Sequence, residues 1–370
     1  MSHLFQPLRL KDVRLRNRIG VPPMCMYMAE DGMARDRHRT HYGSLALGGA
    51  GLVTVEATAV SPEGRITDGC LGLWKDSQTA ALASVAKAIR SAGAVPGIQL
   101  AHAGRKASAR KPWDGDDHIP EGDPAGWTPI SPSAIPFGAH LGRTPAEMDG
   151  SDILRVQQAF ADAATRARDA GFEWLELHFG HGYLGQSFLS FHANQRDDAW
   201  GGSLDNRSRF LLDTLRGVRK VWPESLPLTA RLGAVEFDGR DEQTLGESIE
   251  VARAMKAEGL DLLSVSLGFS TPNADIPWGK PAFLAPVAER IRREVQIPVS
   301  SAWGFEQPQI AEEAVAQGQL DLALVGRSHL ANPHWTYWAA KTLGIPEPGS
   351  LLPTQYAYWL DRYQPTASAT

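Results

Sequence analysis

A closed (β/α)8 barrel, an α/β fold of the TIM type, is predicted for this chain from three features of its sequence. Eight short β-branched and apolar runs recur along it, helix-length segments separate them, and polar residues stand at the C-terminal end of almost every run. Eight strands alternating with helices favour a closed barrel over an open doubly wound sheet.

The first segment, Leu4 to Asn17, alternates as a hairpin does and suits closure of the barrel floor. The eight runs follow: Arg18 to Val21, Leu52 to Ala57, Val95 to Leu100, Trp174 to Leu177, Leu228 to Arg231, Leu262 to Ser266, Val299 to Ala302 and Leu322 to Val325. Helical periodicity occupies Thr79 to Ser91, Ile153 to Ala170, Asn206 to Val221, Glu242 to Glu258, Ala285 to Glu294 and Pro308 to Gln317, several of these ending near Gly. Residues 103–150, rich in Pro, Gly, Asp and Trp, interrupt the spacing after the third run, and residues 267–283 do so after the sixth. Both are expected over the barrel mouth as lid elements. One domain over residues 1–363 is expected, with 364–370 as a frayed tail.

With 43% hydrophobic and 21% charged residues and a formal charge of −5, the chain can bury a large core but offers no basic field for nucleic acid or an anionic membrane surface. The N-terminus has no signal-peptide core and no apolar run approaches the ~20 residues of a membrane span. A cytoplasmic protein acting on small molecules is the expectation. Its two cysteines, Cys25 and Cys70, are too few for a disulfide framework and form no CxxC pair. Redox chemistry would have to come from an organic cofactor.

In such barrels the catalytic groups sit where strands meet their βα loops. Those positions here are Glu56, Gln99, His178, Arg231, Ser266, Ser301 and Arg327. The segment His178-Phe-Gly-His-Gly-Tyr183 places two imidazoles and a phenol just past the fourth run. Two histidines three apart can ligate a metal, but no Glu, Asp or Cys accompanies them at zincin spacing. They can instead donate hydrogen bonds to a carbonyl or anionic oxygen, leaving Tyr183 to deliver a proton. Ser301 to Gly304 and Val325 to Ser328, after the seventh and eighth runs, fit the phosphate site of many barrels, with Arg327 adding a fork suited to phosphate. The same glycines could simply make tight turns.

Taken together, Val21 to Tyr27, Glu56-Ala57, Gly64 to Ile66, Gln99 to Lys106, His178 to Leu184, Asn194 to Ser203, Asn206-Arg207 and Gly326-Arg327 resemble the old yellow enzyme family, in its bacterial, thermophilic-like class. The resemblance runs from about Leu4 to Tyr363 in uninterrupted order. It implies an NAD(P)H-dependent FMN ene-reductase that reduces the C=C bond of α,β-unsaturated carbonyl compounds, with NADPH or NADH as reductant. It further implies that Pro23, Met24 and Cys25 line the flavin ring, that Ala57 and Gln99 contact its pyrimidine side, and that Arg231 sits near N1 and O2. Ala302, Trp303, Gly304, Gly326 and Arg327 would take the FMN phosphate. His178 and His181 would bind the substrate oxygen, Tyr183 would donate the proton, and Tyr27, Trp303 and Trp359 would wall the pocket. Cys25 would tune the flavin, whereas Cys70 is read as structural. Related enzymes often have Ala where Gly180 stands, and some send an Arg into the neighbouring subunit's pocket from the position of Tyr358. A homodimer or homotetramer is implied, with Trp359 in place of that arginine.

Overall fold

A computed structural model describes residues 2–363 of the chain; the tail expected over 364–370 lies outside the described residues. Leu8–Leu10 (β1) and Val13–Leu15 (β2) pair antiparallel as the N-terminal hairpin. Eight parallel strands then close a barrel: β3 (Ile19–Val21), β4 (Leu52–Ala59), β5 (Val95–Ala101), β8 (Trp174–Phe179), β9 (Leu228–Val235), β10 (Leu262–Leu267), β11 (Val299–Ser301) and β12 (Leu322–Leu324). Closure is made by β12 on β3, with Ala323 opposite Ile19 and Leu324 opposite Gly20. The short strands β6 (Ile130–Ser131) and β7 (Ala146–Glu147) pair with each other within the insertion after β5.

All residues of β4, β8, β9 and β10 are buried, as expected for strands covered by helices outside and side chains within. The floor is a separate apolar cluster in which Leu8, Val13 and Leu15 of the hairpin join Leu52, Trp174, Leu262 and Leu322, the first residues of four strands. Sealing that end leaves the opposite one for the polar strand termini.

The helices are α1 (Asp36–Leu47), α2 (Asp76–Ser91), α3 (Gly150–Asp169), α4 (Leu184–Leu189), α5 (Leu204–Arg219), α6 (Asp241–Ala257), α7 (Ala285–Val295), α8 (Pro308–Ala316), α9 (Arg327–Ala331), α10 (Trp335–Thr342) and α11 (Thr354–Leu360). Local chemistry explains where several begin. Asp149 accepts the Asp152 N–H at 2.9 Å ahead of α3, and Ser203 Oγ accepts the Asn206 N–H at 3.3 Å ahead of α5. α3 buries Ile153, Val156, Phe160, Ala163, Ala164 and Ala167, one face at helical spacing. α1 escapes an apolar-periodicity reading because the face it buries starts with His38 and Tyr42, before Leu45 and Ala46. The seventh and eighth strands, expected to reach Ala302 and Val325, each end one residue earlier, and Arg327, expected at a strand end, opens α9 after the chain has turned; β9 runs on to Val235, so Arg231, also expected at a strand end, lies inside it.

Candidate active site

The barrel mouth holds a cavity of 310 Å³ that runs from His181 and Arg231, past Pro23 and Met24, to Ala302, Trp303, Gly304, Gly326 and Arg327. Residues after β3, β8, β11 and β12 thus meet Arg231 of β9 around one space.

At one end stands the His-Tyr group. The His178 ring lies 4.9 Å from that of His181 and 5.0 Å from that of Tyr183, close to perpendicular to both. The Gly180 N–H donates to His178 Nδ1 at 3.3 Å, which leaves the proton on Nε2. His181 Nε2 lies 2.8 Å from Ser266 Oγ on β10; the hydroxyl can donate or accept, so the His181 tautomer can follow the ligand. Burial, reinforced for His178 by its neighbour His181 and for both by Arg231 and Lys106, holds the two imidazoles well below their usual protonation range. Burial, with Cys25, Cys70 and Asp116 adding repulsion, holds the Tyr183 phenol well above its own. The group therefore presents neutral rings and a protonated phenol.

Backbone strain gathers here. Tyr27 (φ 50°), His181 (60°), Phe269 (50°) and Trp303 (79°) all adopt the left-handed region that non-glycine residues avoid. Lys106 explains two of them, since its Nζ donates to the His181 carbonyl at 2.9 Å and the Phe269 carbonyl at 2.7 Å, tying the loop after β8 to that after β10. Burial brings this amine down to about 7. The tie also explains Gly182 (φ 68°), where a Cβ would stand 2.2 Å from the Phe269 oxygen.

Among the described residues, the buried Arg231 is the only Arg or Lys on the cavity wall besides Arg327. Its Nε faces Glu176 Oε1 at 3.3 Å, beyond good hydrogen-bond geometry, and both Nε and Nη2 lack a hydrogen-bond partner. Buried, unsatisfied guanidinium N–H groups beside a cavity fit an anionic or carbonyl-bearing ligand. Gln99 and Ala57 stand opposite one another on β5 and β4, both buried. Gln99 Nε2 donates to Glu176 Oε1 at 2.6 Å. Cys25 is half-buried, and burial pushes its thiol up. At the far end, Gly304 (φ 79°) would drive a Cβ to 2.3 Å from Ala282 N, while a Cβ on Gly326 would meet Met24 Sδ at 3.2 Å. That wall admits backbone where side chains would intrude.

Tyr27 packs beside Trp113, their ring centroids 5.9 Å apart. Trp303 packs edge-on to Trp278 at 5.4 Å and to Phe269 at 6.4 Å. Trp359 is not brought to this cavity within its own chain: it lies on α11 with 71% of its surface exposed. Among the described residues no group of three or more His, Cys, Asp or Glu side chains is gathered to hold a metal ion.

Several residues of the site are not singled out by the sequence reading. Glu176 is two residues before His178 and so shares its strand face, a period-two signal that was available. Lys106 carries no role in the motif that contains it. Phe269 and Trp278 lie in the second insertion, where no periodicity marks them. Glu56, expected at a strand end, lies inside β4, which bulges there: its carboxyl group accepts the Met26 N–H and the Tyr42 hydroxyl, both at 2.9 Å, and anchors the segment that carries Cys25.

Comparison with known proteins agrees with this geometry. Residues 3–344 match the NADH:flavin oxidoreductase / NADH oxidase family. An NADPH dehydrogenase of Geobacillus sp. (strain WCH70) is 41% identical over 343 residues, covering 92% of this chain and 94% of that protein. One from Listeria innocua serovar 6a (strain ATCC BAA-680 / CLIP 11262) is 40% identical over 346 residues, covering 93% and 96%. Among solved structures, morphinone reductase superposes with a TM-score of 0.78 at 25% identity, over 95% of this chain and 93% of that one. A 2-naphthoyl-CoA reductase complex superposes with a TM-score of 0.82 at 29% identity, over 93% of this chain but only 53% of the other. With a closed barrel, an unsatisfied arginine in its mouth and a family match over nearly its whole length, the chain belongs to the NADH:flavin oxidoreductase / NADH oxidase family and is an oxidoreductase of the old yellow enzyme type.

Proposed function

We propose that the protein is an FMN-dependent ene-reductase that uses NADPH or NADH to reduce the C=C bond of α,β-unsaturated carbonyl compounds, enones and maleimides among them, and nitro compounds. One observation carries this reading: a single cavity joins His181, the member of the His-Tyr group on its wall, and the unsatisfied Arg231 to the glycine-bearing loops after β11 and β12, with His178 packed directly against His181. When bound, FMN would supply the redox chemistry, the transfer of hydride between the nicotinamide and the substrate's β-carbon.

The residues do the rest. His178, with its proton on Nε2, donates to the substrate's carbonyl oxygen, and His181 joins it there; the polarisation this produces makes the β-carbon electrophilic. Tyr183, held as a phenol, gives its proton to the α-carbon. Arg231 would place a fixed positive charge near N1 and O2, where negative charge develops, and Ala57 and Gln99 would contact the pyrimidine side. Pro23, Met24 and Cys25 line the ring, with Cys25 tuning it as a thiol. Ala302, Trp303, Gly304, Gly326 and Arg327 hold the phosphate. Tyr27 and Trp303 wall the pocket against water, and Trp359 does so from a neighbouring subunit of a homodimer or homotetramer. The tryptophans Trp303 and Trp359, with the insertion near Trp113, make the chain look most like xenobiotic reductase A within its family.

Purified protein should be yellow and should release FMN, not FAD, on denaturation. Anaerobic reduction with NADPH followed by cyclohexenone should restore the oxidised flavin spectrum. Release of FAD, failure to take up FMN on reconstitution, or a reduced flavin that no enone, maleimide or nitro compound reoxidises would defeat the reading.

A further inference from the structure

Glu176 has no part in the chemistry above, yet it is buried at the centre of the site and touches two of its residues. On β8 it stands opposite Gln99 of β5, and Oε1 accepts the Gln99 amide N–H at 2.6 Å. The same oxygen faces Arg231 Nε on β9 at 3.3 Å. We infer that Glu176 is a positioning residue that orients the Gln99 amide and offsets the charge of Arg231, so that together they read the pyrimidine edge of the cofactor. This inference rests on the FMN reading.

A primary amide has a donor end and an acceptor end. With its donor end committed to Glu176, Gln99 turns its carbonyl oxygen the other way. Arg231 directs Nε toward Glu176 and keeps Nη2 unpartnered at the cavity wall. The strands thus offer an acceptor beside a donor. An imide edge, an N–H next to a carbonyl oxygen, is its complement, and the pyrimidine ring of an isoalloxazine presents that edge. Reversal of Gln99 would set two donors side by side and leave the imide N–H unpaired.

Charge follows from the same contact. Burial pushes the Glu176 carboxyl up, while Arg231 and Gln99 pull it back toward ionisation. An ionised Glu176 cancels part of the field that Arg231 applies to the negative charge gained on reduction. Removing that cancellation favours the reduced form.

The test compares FMN-loaded wild type, Glu176→Gln, Arg231→Met and the double variant by spectroelectrochemical titration, and compares the binding of FMN with that of 3-methyl-FMN, whose imide N–H is blocked. Glu176→Gln should raise the ratio of reduced to oxidised FMN at a fixed potential about tenfold, about 30 mV for a two-electron couple. Wild type should bind 3-methyl-FMN at least about tenfold more weakly than FMN, a hydrogen bond's worth of discrimination, and Glu176→Gln should narrow that gap because Gln99 is then free to turn. A merely structural role would loosen both flavins alike and would not raise the potential. An unchanged or lowered ratio, or an unchanged gap, overturns the inference. Glu176→Gln leaves Arg231 buried without its counter-charge and can cost the fold. In that event Arg231→Met and the double variant decide: a lone buried carboxyl takes up a proton, so their potentials should agree, and a tenfold difference in the ratio overturns the inference. Absence of FMN from wild type sinks the cofactor reading and this inference with it, whereas FMN-loaded variants that do not shift sink this inference alone.

Discussion

Two imidazoles and a phenol packed ring to ring at the barrel mouth owe their protonation to burial. His178 and His181 lie well below the usual histidine range and Tyr183 well above the tyrosine range, so none of the three changes charge across neutral pH. A phenol so placed keeps its proton across neutral pH, as the proposed proton donor must. Tyr183→Phe should leave flavin reduction by NADPH largely intact and slow enone reduction by roughly 10²- to 10⁴-fold, the contribution of a positioned general acid. Rapid mixing separates the half-reactions; enone reduction at full speed would remove Tyr183 from the mechanism. Glu56 makes a second prediction at this scale. Burial raises its carboxyl to about 7, against about 4.3 in an unfolded chain, so the folded protein holds an extra proton between those values. Its contribution to stability is present below about pH 4.3 and is lost as pH rises through about 7. The stability of wild type relative to Glu56→Gln should therefore fall by up to about 3 kcal/mol from pH 4.5 to 8, read from urea midpoints; a constant difference would show that Glu56 keeps its ordinary range.

The segments over the mouth are pinned by cations reaching for carbonyl oxygens. Arg105, buried just after β5, donates to the carbonyls of Ile135 and Pro136 in the first insertion, of His192 beyond α4, and of Ser270 beyond β10. Lys106, next in the chain, holds His181 and Phe269. One short stretch thereby ties three separate segments to each other and to the backbone of His181, whose ring faces the cavity. Arg105→Leu should leave the barrel folded but strip those carbonyls of their donor, costing about 2–4 kcal/mol as the unsatisfied groups accumulate. Hydrogen exchange should speed up in the segments around 135, 192 and 270 and stay slow in β4, β5, β8 and β9. Acceleration spread evenly over the barrel would instead make Arg105 part of the global fold.

For the molecule as a whole, the C-terminal end presents exposed aromatics on or beside α11: Tyr356, Tyr358, Trp359 and Tyr363. No helix among the described residues is long and apolar enough to cross a membrane. The proposed homo-oligomer gives these rings a partner and brings Trp359 to a neighbour's cavity. Trp359→Ala should then shift the sedimentation equilibrium toward smaller species and raise the KM for enones several-fold with little change in flavin content. An unchanged mass and unchanged KM would leave Trp359 without a role in pocket or interface.

The closed barrel was legible in the sequence, because burial on both sides puts apolar residues into all eight strands and a strand has little other way to hide both faces. The hairpin was legible through its alternation, and the place of His178 near the end of β8, with His181 and Tyr183 just beyond it, through the rule that barrel strands end in the site; Arg231 instead lies inside β9, which runs on to Val235. Other features depended on through-space contact. α1 hides behind a face begun by His38 and Tyr42, whose burial makes sense only once Glu56 lies between them and the Met26 backbone. Glu176 is polar and central because Gln99 and Arg231 come to it from strands 77 residues before and 55 after, and Lys106 matters because two loops from other parts of the chain bring their carbonyls to it. Trp359 shows the same limit from the other side: the family resemblance implied a pocket wall, and only the tertiary structure put it on an outer helix, away from the cavity of its own chain. A pattern along the chain reports which faces must be buried, whereas pairing between distant segments is decided by the packing that brings them together.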